Sequence, residues 1–393
     1  WRLGYAPAKW EELSKYLAEK GFTKDEIVEA GFAVRSEKKI GEIFDRFRGR
    51  IIFPIFTIGG EPIAVSGRFF EKVPGQKDPP AGGEPAKYVN SPESLLFKKS
   101  RTLYGLDRAR GAIRKADAIL LVEGQFDLVL AHQSGLPFTV ALSGTALTDE
   151  HLALLGRLSK RLVLALDADQ AGLRSGLKSA LMAIKAGFEV KVPTFPEGQD
   201  PADLGAKNPE LLKAAIRTSK TAVEFFLDAL RHQTKDERAY QKLVEAHVLP
   251  LVASMQSSIE QAHFVRLVAE RLHVGEEAVR AEIHKHPTLP SEEESEELIV
   301  ALPDARLTAF EKKVGMLIAY FAPHTPVYTE LTKLVGEHEL ENLASRLAPE
   351  LELLRFRFEQ ELGEHTSESA VAEDMLRDIE RAVYKTRFKA QFL

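Results

Sequence analysis

Between residues 118 and 192, short uninterrupted apolar runs alternate with helix-length amphipathic stretches. The runs at 118–122, 138–142, 162–166 and 189–192 have strand length and carry the aliphatic residues of strands buried on both faces. The intervening stretches 126–134, 149–158 and 171–186 read as helices, with Asp149 in "TDEH" as an N-cap. Such alternation predicts a parallel sheet covered on both sides. The handedness of its crossovers makes it a doubly wound α/β layer of about four strands.

The flanking pattern differs. Residues 10–20 and 24–30 read as short amphipathic helices, and "RIIFPIFTIGGEPIAVSGRFF" over 50–70 as two strands turning at Gly59-Gly60. A Pro/Gly-rich loop over 74–85 follows, so 1–117 is expected to be an α+β domain and 118–210 the α/β layer. From 211 to 286 the chain is helical throughout; Phe264, Leu267, Val268 and Leu272 share one face. The prolines and acidic run of 287–304 predict a linker, and 305–393 a separate helical domain. Its last helix places Val371, Met375, Ile379 and Val383 on one stripe, with Ser369 as N-cap. The overall fold class is α+β: an α+β domain, a parallel α/β layer, an all-α bundle and a helical C-terminal domain. No internal repeat is visible.

Composition narrows the chemistry. At 393 residues the chain is long enough for two to four domains. No apolar run approaches the ~20 residues that cross a bilayer, so no membrane partner is expected. With no cysteine, thiolate zinc sites, iron–sulfur clusters, disulfides and cysteine nucleophiles are excluded from this chain. The chain opens on Trp1 without a signal peptide, which reads as a fragment of a cytoplasmic protein. A net charge of -5 conceals an asymmetry: residues 46–115 carry a balance of +8 and the remainder -13. A basic segment in an acidic protein points either to a polyanion met by one surface or to a solvated basic face.

The acids of the α/β layer collect where such sheets bind ligands, at the carboxyl ends of the strands. Glu123 ends the first strand in "LLVEGQFD", Asp127 follows one helical turn on, Asp167 and Asp169 end the third in "LDADQAG", and Asp200 follows the fourth in "GQDPADL". A lone acid at a strand end is usually a helix cap. Acids at three ends of one edge instead predict a site for a cation that neutralises their mutual repulsion. Oxygen-only donors suit Mg²⁺ or Mn²⁺, and such ions commonly serve phosphoryl or nucleotidyl transfer. "GLRSGLKS" lacks the glycine spacing of a phosphate loop and reads as helix; Gly144 in "LSGTAL" reads either as a phosphate-approaching turn or as a plain one. The eleven histidines show no ligand spacing, and His284 and His286 are expected to face solvent.

In this order and spacing, "LLVEGQFD", "ALSGTALT", "LDADQAG" and "GQDPADL" resemble the Toprim domain of bacterial replicative DNA primases of the DnaG type. The upstream "RLGYAP", "DRFRGRIIFPI", "SGRFF" and "KYVNSPESLLFKKSRTLYGL" are similar to the RNA-polymerase subdomain of the same family. The resemblance implies a DNA-dependent RNA polymerase making short primers on single-stranded DNA from ribonucleoside triphosphates. It implies catalytic Glu123, Asp167 and Asp169 holding two Mg²⁺ or Mn²⁺ ions, with Asp127 and Asp200 as supporting acids. It implies nucleic-acid and nucleotide contacts from Arg46, Arg48, Arg50, Arg68, Lys87, Tyr88, Asn90, Lys98 and Lys99. By position, 305–393 corresponds to the family's helicase-binding domain, although a stabilising helical cap is the alternative. The family's N-terminal zinc domain is not found here, so no zinc is expected in this chain. Ala202 stands where the family often has another acid, Ala168 where Gly commonly separates the paired aspartates, and Ser66 where Gly often precedes the Gly-Arg pair. The rival readings are a phosphodiester-cleaving Toprim enzyme and a non-catalytic adaptor between DNA and helicase.

Overall fold

The computed structural model describes residues 1–36, 41–73, 86–165, 170–196, 200–285, 309–323 and 325–347, with scattered positions from 351 to 383. The chain divides into two compact units, Trp1–Leu302 and Pro303–Leu393.

The first unit opens with β1 (Gly4–Ala6), α1 (Glu12–Glu19), α2 (Lys24–Glu29), β2 (Ala33–Arg35) and β3 (Ile43–Asp45). Thr23 and Glu26 form a reciprocal capping box that starts α2. Next come β4 (Arg50–Phe56), β5 (Pro62–Phe69) and β6 (Tyr88–Asn90), which form the antiparallel sheet β1-β4-β5-β6. The turn between β4 and β5 closes through Thr57 N–H to Glu61 at 2.8 Å, with Gly60 at φ 89. The predicted pair of strands is thus present, but two further strands flank it. Both have only three residues and pair with distant partners, so neither leaves a periodic signal.

The α/β layer follows: α3 (Leu106–Ala116), β7 (Ile119–Val122), α4 (Gln125–Gln133), β8 (Thr139–Ala141), α5 (Asp149–Leu155), β9 (Arg161–Ala165), α6 (Gln170–Lys185) and β10 (Glu189–Val192). After it come α7 (Pro201–Lys207), α8 (Pro209–Arg217) and a two-residue strand β11 (Lys220–Thr221). The sheet order is β11-β10-β9-β7-β8, parallel except for the edge strand β11. Asp149 is not the cap of α5. The Thr148 hydroxyl accepts from His151 N–H, and Asp149 occupies the first helical turn, where its charge still suits the helix dipole. The stretch "GLRSGLKS" lies within α6, as the spacing predicts.

Central strand β7 shows why continuous apolar runs were required. Its four residues are all at 0% exposure. Ile119 and Leu121 enter one core, shared with α3, α5, α6 and the bundle helices α9 (Ala222–Gln233), α10 (Glu237–His247), α11 (Leu249–Ala253), α12 (Ser258–Leu272) and α13 (Glu276–Lys285). Leu120 and Val122 enter the other, with Leu128 of α4, Leu204 of α7 and Phe53, Ile55 and Ala64 of the antiparallel sheet. Each such side chain is worth about 2 kcal/mol on burial. Phe264, Val268 and Leu272 are buried and Leu267 packs beside them, so the predicted face of α12 is the face that packs.

In the second unit, helices Ala309–Tyr320, Pro326–Val335 and Glu337–Leu347 close a separate core. Met375 and Ile379 are buried in it, with Val371 and Val383 packed alongside, as their spacing predicts. Ser369 lies outside the described residues. Among the described residues no helix is long and apolar enough to cross a membrane.

Candidate nucleotidyl-transfer site

Glu123 follows directly on β7, half-buried, and Gly124 opens α4. Asp127 reaches back from the first turn, its Oδ2 accepting from Gly124 N–H at 3.1 Å. A Cβ at Gly124 would stand 2.7 Å from that oxygen, so a larger residue there would make the Asp127 carboxylate shift. Asp127 Oδ1 accepts from Ala202 N–H at 3.2 Å, which fixes the start of α7 against the start of α4. Asp200 caps α7, accepting from Asp203 N–H at 2.6 Å, with Pro201 at the first helical position. The structure therefore brings Glu123, Asp127 and Asp200 to one end of the sheet. Asp167 and Asp169 follow β9 and lie outside the described residues.

The antiparallel sheet brings cationic and aromatic groups to the same place. In β5 and β6, Arg68 pairs in register with Tyr88 and Ser66 with Asn90. The Arg68 guanidinium lies 4.0 Å from the centre of the Phe126 ring and 5.9 Å from that of Tyr88. Burial pushes the Tyr88 phenol up to about 12; the Asp127 and Asp200 carboxylates add to this, and Arg68 opposes it. The Asn90 amide donates to Ser143 O at 2.8 Å, and Ser143 N–H donates to Glu123 O at 3.0 Å. A two-bond chain thus runs from the basic sheet to the backbone of Glu123. Ser143 and Gly144 both have positive φ, 60 and 78, which turns the loop after β8 sharply back toward Asn90. The sequence reading missed Ser143; its one signal was the serine-glycine pair at a strand end. It also missed Phe126, the platform for Arg68, which looks in sequence like an ordinary helix residue.

The remaining basic residues divide by what they already hold. Arg50 is buried and donates to Gly67 O at 3.0 Å and Ala86 O at 2.9 Å, tying β4 to β5 and to the approach to β6. Arg48 donates to Asp45 O and packs 4.5 Å from the Trp10 ring centre; burial lowers its pKa against the pull of Asp45. The Arg46 backbone donates to Phe32 O at 2.8 Å, while its Nε is buried without a partner among the described residues. Lys87 is exposed. Lys98 meets Glu93 at 3.5 Å, and Lys99 begins a short 3-10 turn that leads toward α3. Of the tract, Arg68, Tyr88 and Asn90 are the members set against the acidic edge.

Two family models match the chain: "DNA primase catalytic core, N-terminal domain" over residues 1–110 and "Toprim-like" over 120–204. The RNA polymerase domain of Mycobacterium tuberculosis primase DnaG is similar in structure, with a TM-score of 0.57 at 30% identity, over 68% of this chain and 84% of that one. The chain belongs to the DnaG-type bacterial DNA primases. A DnaG primase catalytic domain solved bound to single-stranded DNA matches with a TM-score of 0.57 at 26% identity, over 70% of this chain and 84% of that one. The DNA primase of Clostridium acetobutylicum is 31% identical over 281 residues, 70% of this chain. The chain spans 44% of the length of that relative. The family so assigned is the one that the sequence motifs resemble.

Membership in a Toprim family implies use of a divalent metal. The donors fit such an ion: Glu123, Asp127 and Asp200 present only carboxylate oxygens at this edge, and a carboxylate has about four acceptor positions. Asp127 accepts a backbone bond on each oxygen, and Asp200 accepts one on Oδ1. Among the described residues no group of three or more His, Asp or Glu converges on one point, and Asp167 and Asp169 lie outside them.

Proposed function

We propose that this chain carries the RNA-polymerase activity of a primase: it extends short RNA primers on a single-stranded DNA template from ribonucleoside triphosphates. The observation that carries the reading is the juxtaposition of Glu123, Asp127 and Asp200 with Arg68, Tyr88 and Asn90, in a chain matching the primase core and Toprim models in succession. The primer 3′-hydroxyl attacks the α-phosphate of the incoming nucleotide, a P–O bond forms, and pyrophosphate leaves. In this reading Glu123, Asp167 and Asp169 would hold two Mg²⁺ or Mn²⁺ ions, with Asp127 and Asp200 in support. Bound there, the metal supplies Lewis acidity at the 3′-hydroxyl and charge neutralisation at the triphosphate.

The protein's own groups orient the reactants. Arg68, backed by the Phe126 ring, faces nucleotide phosphate. Tyr88 stays protonated at neutral pH and offers a hydroxyl donor. Arg46, Arg48, Lys87, Lys98 and Lys99 line the approach of the template, whose recognition is independent of sequence because phosphates carry none. Arg50 serves from inside the sheet, holding the strands that present them. In this reading 1–117 is the polymerase subdomain, 118–210 the Toprim layer, 211–286 its helical bundle, 287–304 a linker and 305–393 the module that meets the replicative helicase.

The test is incorporation of labelled ribonucleotide onto a short RNA annealed to single-stranded DNA, with Mg²⁺ or Mn²⁺. Single-stranded DNA binding is measured in parallel. Asp167→Asn is expected to abolish extension and leave binding within about twofold, because the acid serves metal rather than template. Full extension by the variant would refute the metal assignment. Tight DNA binding with no extension by the wild type would favour the adaptor reading.

A further inference from the structure

The three-residue 3-10 turn Lys99–Arg101 is too short to hold its own shape. Its place is fixed from both ends. Before it, the Ser94 hydroxyl accepts from Leu96 and Phe97 N–H at 3.2 and 3.1 Å, Glu93 accepts from Lys99 N–H at 3.0 Å, and Phe97 is buried. After it, Tyr104 exchanges a pair of backbone bonds with Ala141, extending the edge of the parallel sheet at 2.9 and 3.1 Å.

Between these anchors, two side chains from the start of α5 capture the turn itself. Thr148 Oγ1 donates to Ser100 O at 2.6 Å while accepting from His151 N–H at 3.2 Å. His151, at 0% exposure, places Nε2 2.9 Å from Lys99 O. A carbonyl can only accept, so Nε2 carries the proton. An apolar side chain of the same size would fill the space equally well but would leave the Lys99 carbonyl without that donor. The loop leading to Thr148 is the one whose Ser143 is bonded to both Asn90 and Glu123.

We infer that Thr148 and His151 are positioning residues for template grip: they hold the carbonyls of Lys99 and Ser100 so that Lys99 meets a nucleic-acid phosphate. The inference rests on the proposed reading of the basic tract. It assigns to the Toprim layer, through α5, the placement of a cation carried by the preceding segment.

The test is the salt dependence of single-stranded oligo-dT binding to the full chain, read as the slope of log K against log [NaCl]. The variants are Lys99→Ala, His151→Leu, His151→Gln and Thr148→Val, with melting temperature as control. Each lost phosphate contact flattens the slope by about 0.7 for a single strand. Lys99→Ala is expected to flatten it by that amount. His151→Leu and Thr148→Val should approach the same loss although neither removes a charge. His151→Gln, whose amide can still donate to the carbonyl, should keep the wild-type slope.

If Lys99→Ala flattens the slope while His151→Leu and Thr148→Val lower only the melting temperature, the positioning role is overturned and the template reading stands. If Lys99→Ala leaves the slope unchanged, the template reading of Lys99 fails and the inference falls with it. Should His151→Leu not fold, Thr148→Val decides between the same outcomes.

Discussion

His247, at the end of α10, is 3% exposed, and neither ring nitrogen finds a partner among the described residues. Burial pushes its pKa down from 6.5 to about 4, so the folded bundle holds a neutral imidazole. Above pH 6.5 both folded and unfolded chains carry it neutral, and its contribution is intact. As pH falls from there to about 4 the unfolded chain takes up the proton and the folded chain does not, so stability declines by about 3 kcal/mol across that window. His247→Leu should remove this part of the decline. Urea midpoints at pH 7 and pH 5 check it: a wild type and variant that lose the same stability between the two would show that the imidazole is not held neutral. Nothing in "EAHVLP" announces this burial, because a histidine at a helix end looks like a favourable partner of the dipole. Asp127 and Asp200 were legible as acids near strand ends. Their bonds to Gly124, Ala202 and Asp203 were not, since Asp127 meets Ala202 across 75 positions of chain.

Elements made of contiguous pattern were readable, and elements made by distant pairing were not. The fully buried β7 follows from a short apolar run alternating with helix-length stretches, and the one-sided α12 from its 3-4 spacing. Strands β1, β2, β3 and β6 have three residues each, and only partners elsewhere in the chain make them strands. Gly49 shows how such pairing is enforced. It has φ +58, its carbonyl accepts from Phe70 and Glu71 N–H at 2.9 and 3.1 Å, and its own N–H donates to Pro7 O at 3.2 Å. One residue thus joins the end of β1, the approach to β4 and the end of β5. A Cβ there would stand 2.2 Å from Glu71 O, a backbone atom that cannot swing away. Gly60, in the turn after β4, has φ +89 and open space around it. Gly60→Ala should therefore cost about 1 kcal/mol of left-handed strain alone. Gly49→Ala should cost about 3 kcal/mol or more, since the Glu71 backbone, whose N–H is bonded to Gly49 O, must move as well. Chemical denaturation of the two variants tests the difference; equal losses would mean that the close approach at Gly49 is relieved without disturbing the sheet.

At the scale of the whole molecule, each unit closes its own core. The clusters of the first contain residues from Ile27 to Val279, and that of the second begins at Val314. The candidate site draws only on the first unit, from Arg46 to Asp200, and so does the basic segment with its balance of +8. A chain ending at Lys285 retains every core residue of that unit among the described residues and every acid and cation assigned to synthesis. It is expected to unfold at the same denaturant midpoint as the corresponding transition of the full chain. It should also extend an annealed primer at a rate within about twofold, because independent domains contribute separately to stability and to the site. What it should lose is association with the replicative helicase, measured by co-sedimentation with the full chain alongside. The outcome separates the two readings of the last 89 residues. A truncated chain that melts early and extends poorly would make 305–393 a stabilising cap, and the helicase assignment, which rests on position along the chain, would lose its basis. A truncated chain that is stable and active but no longer joins the helicase would assign the second unit to recruitment and the first to synthesis.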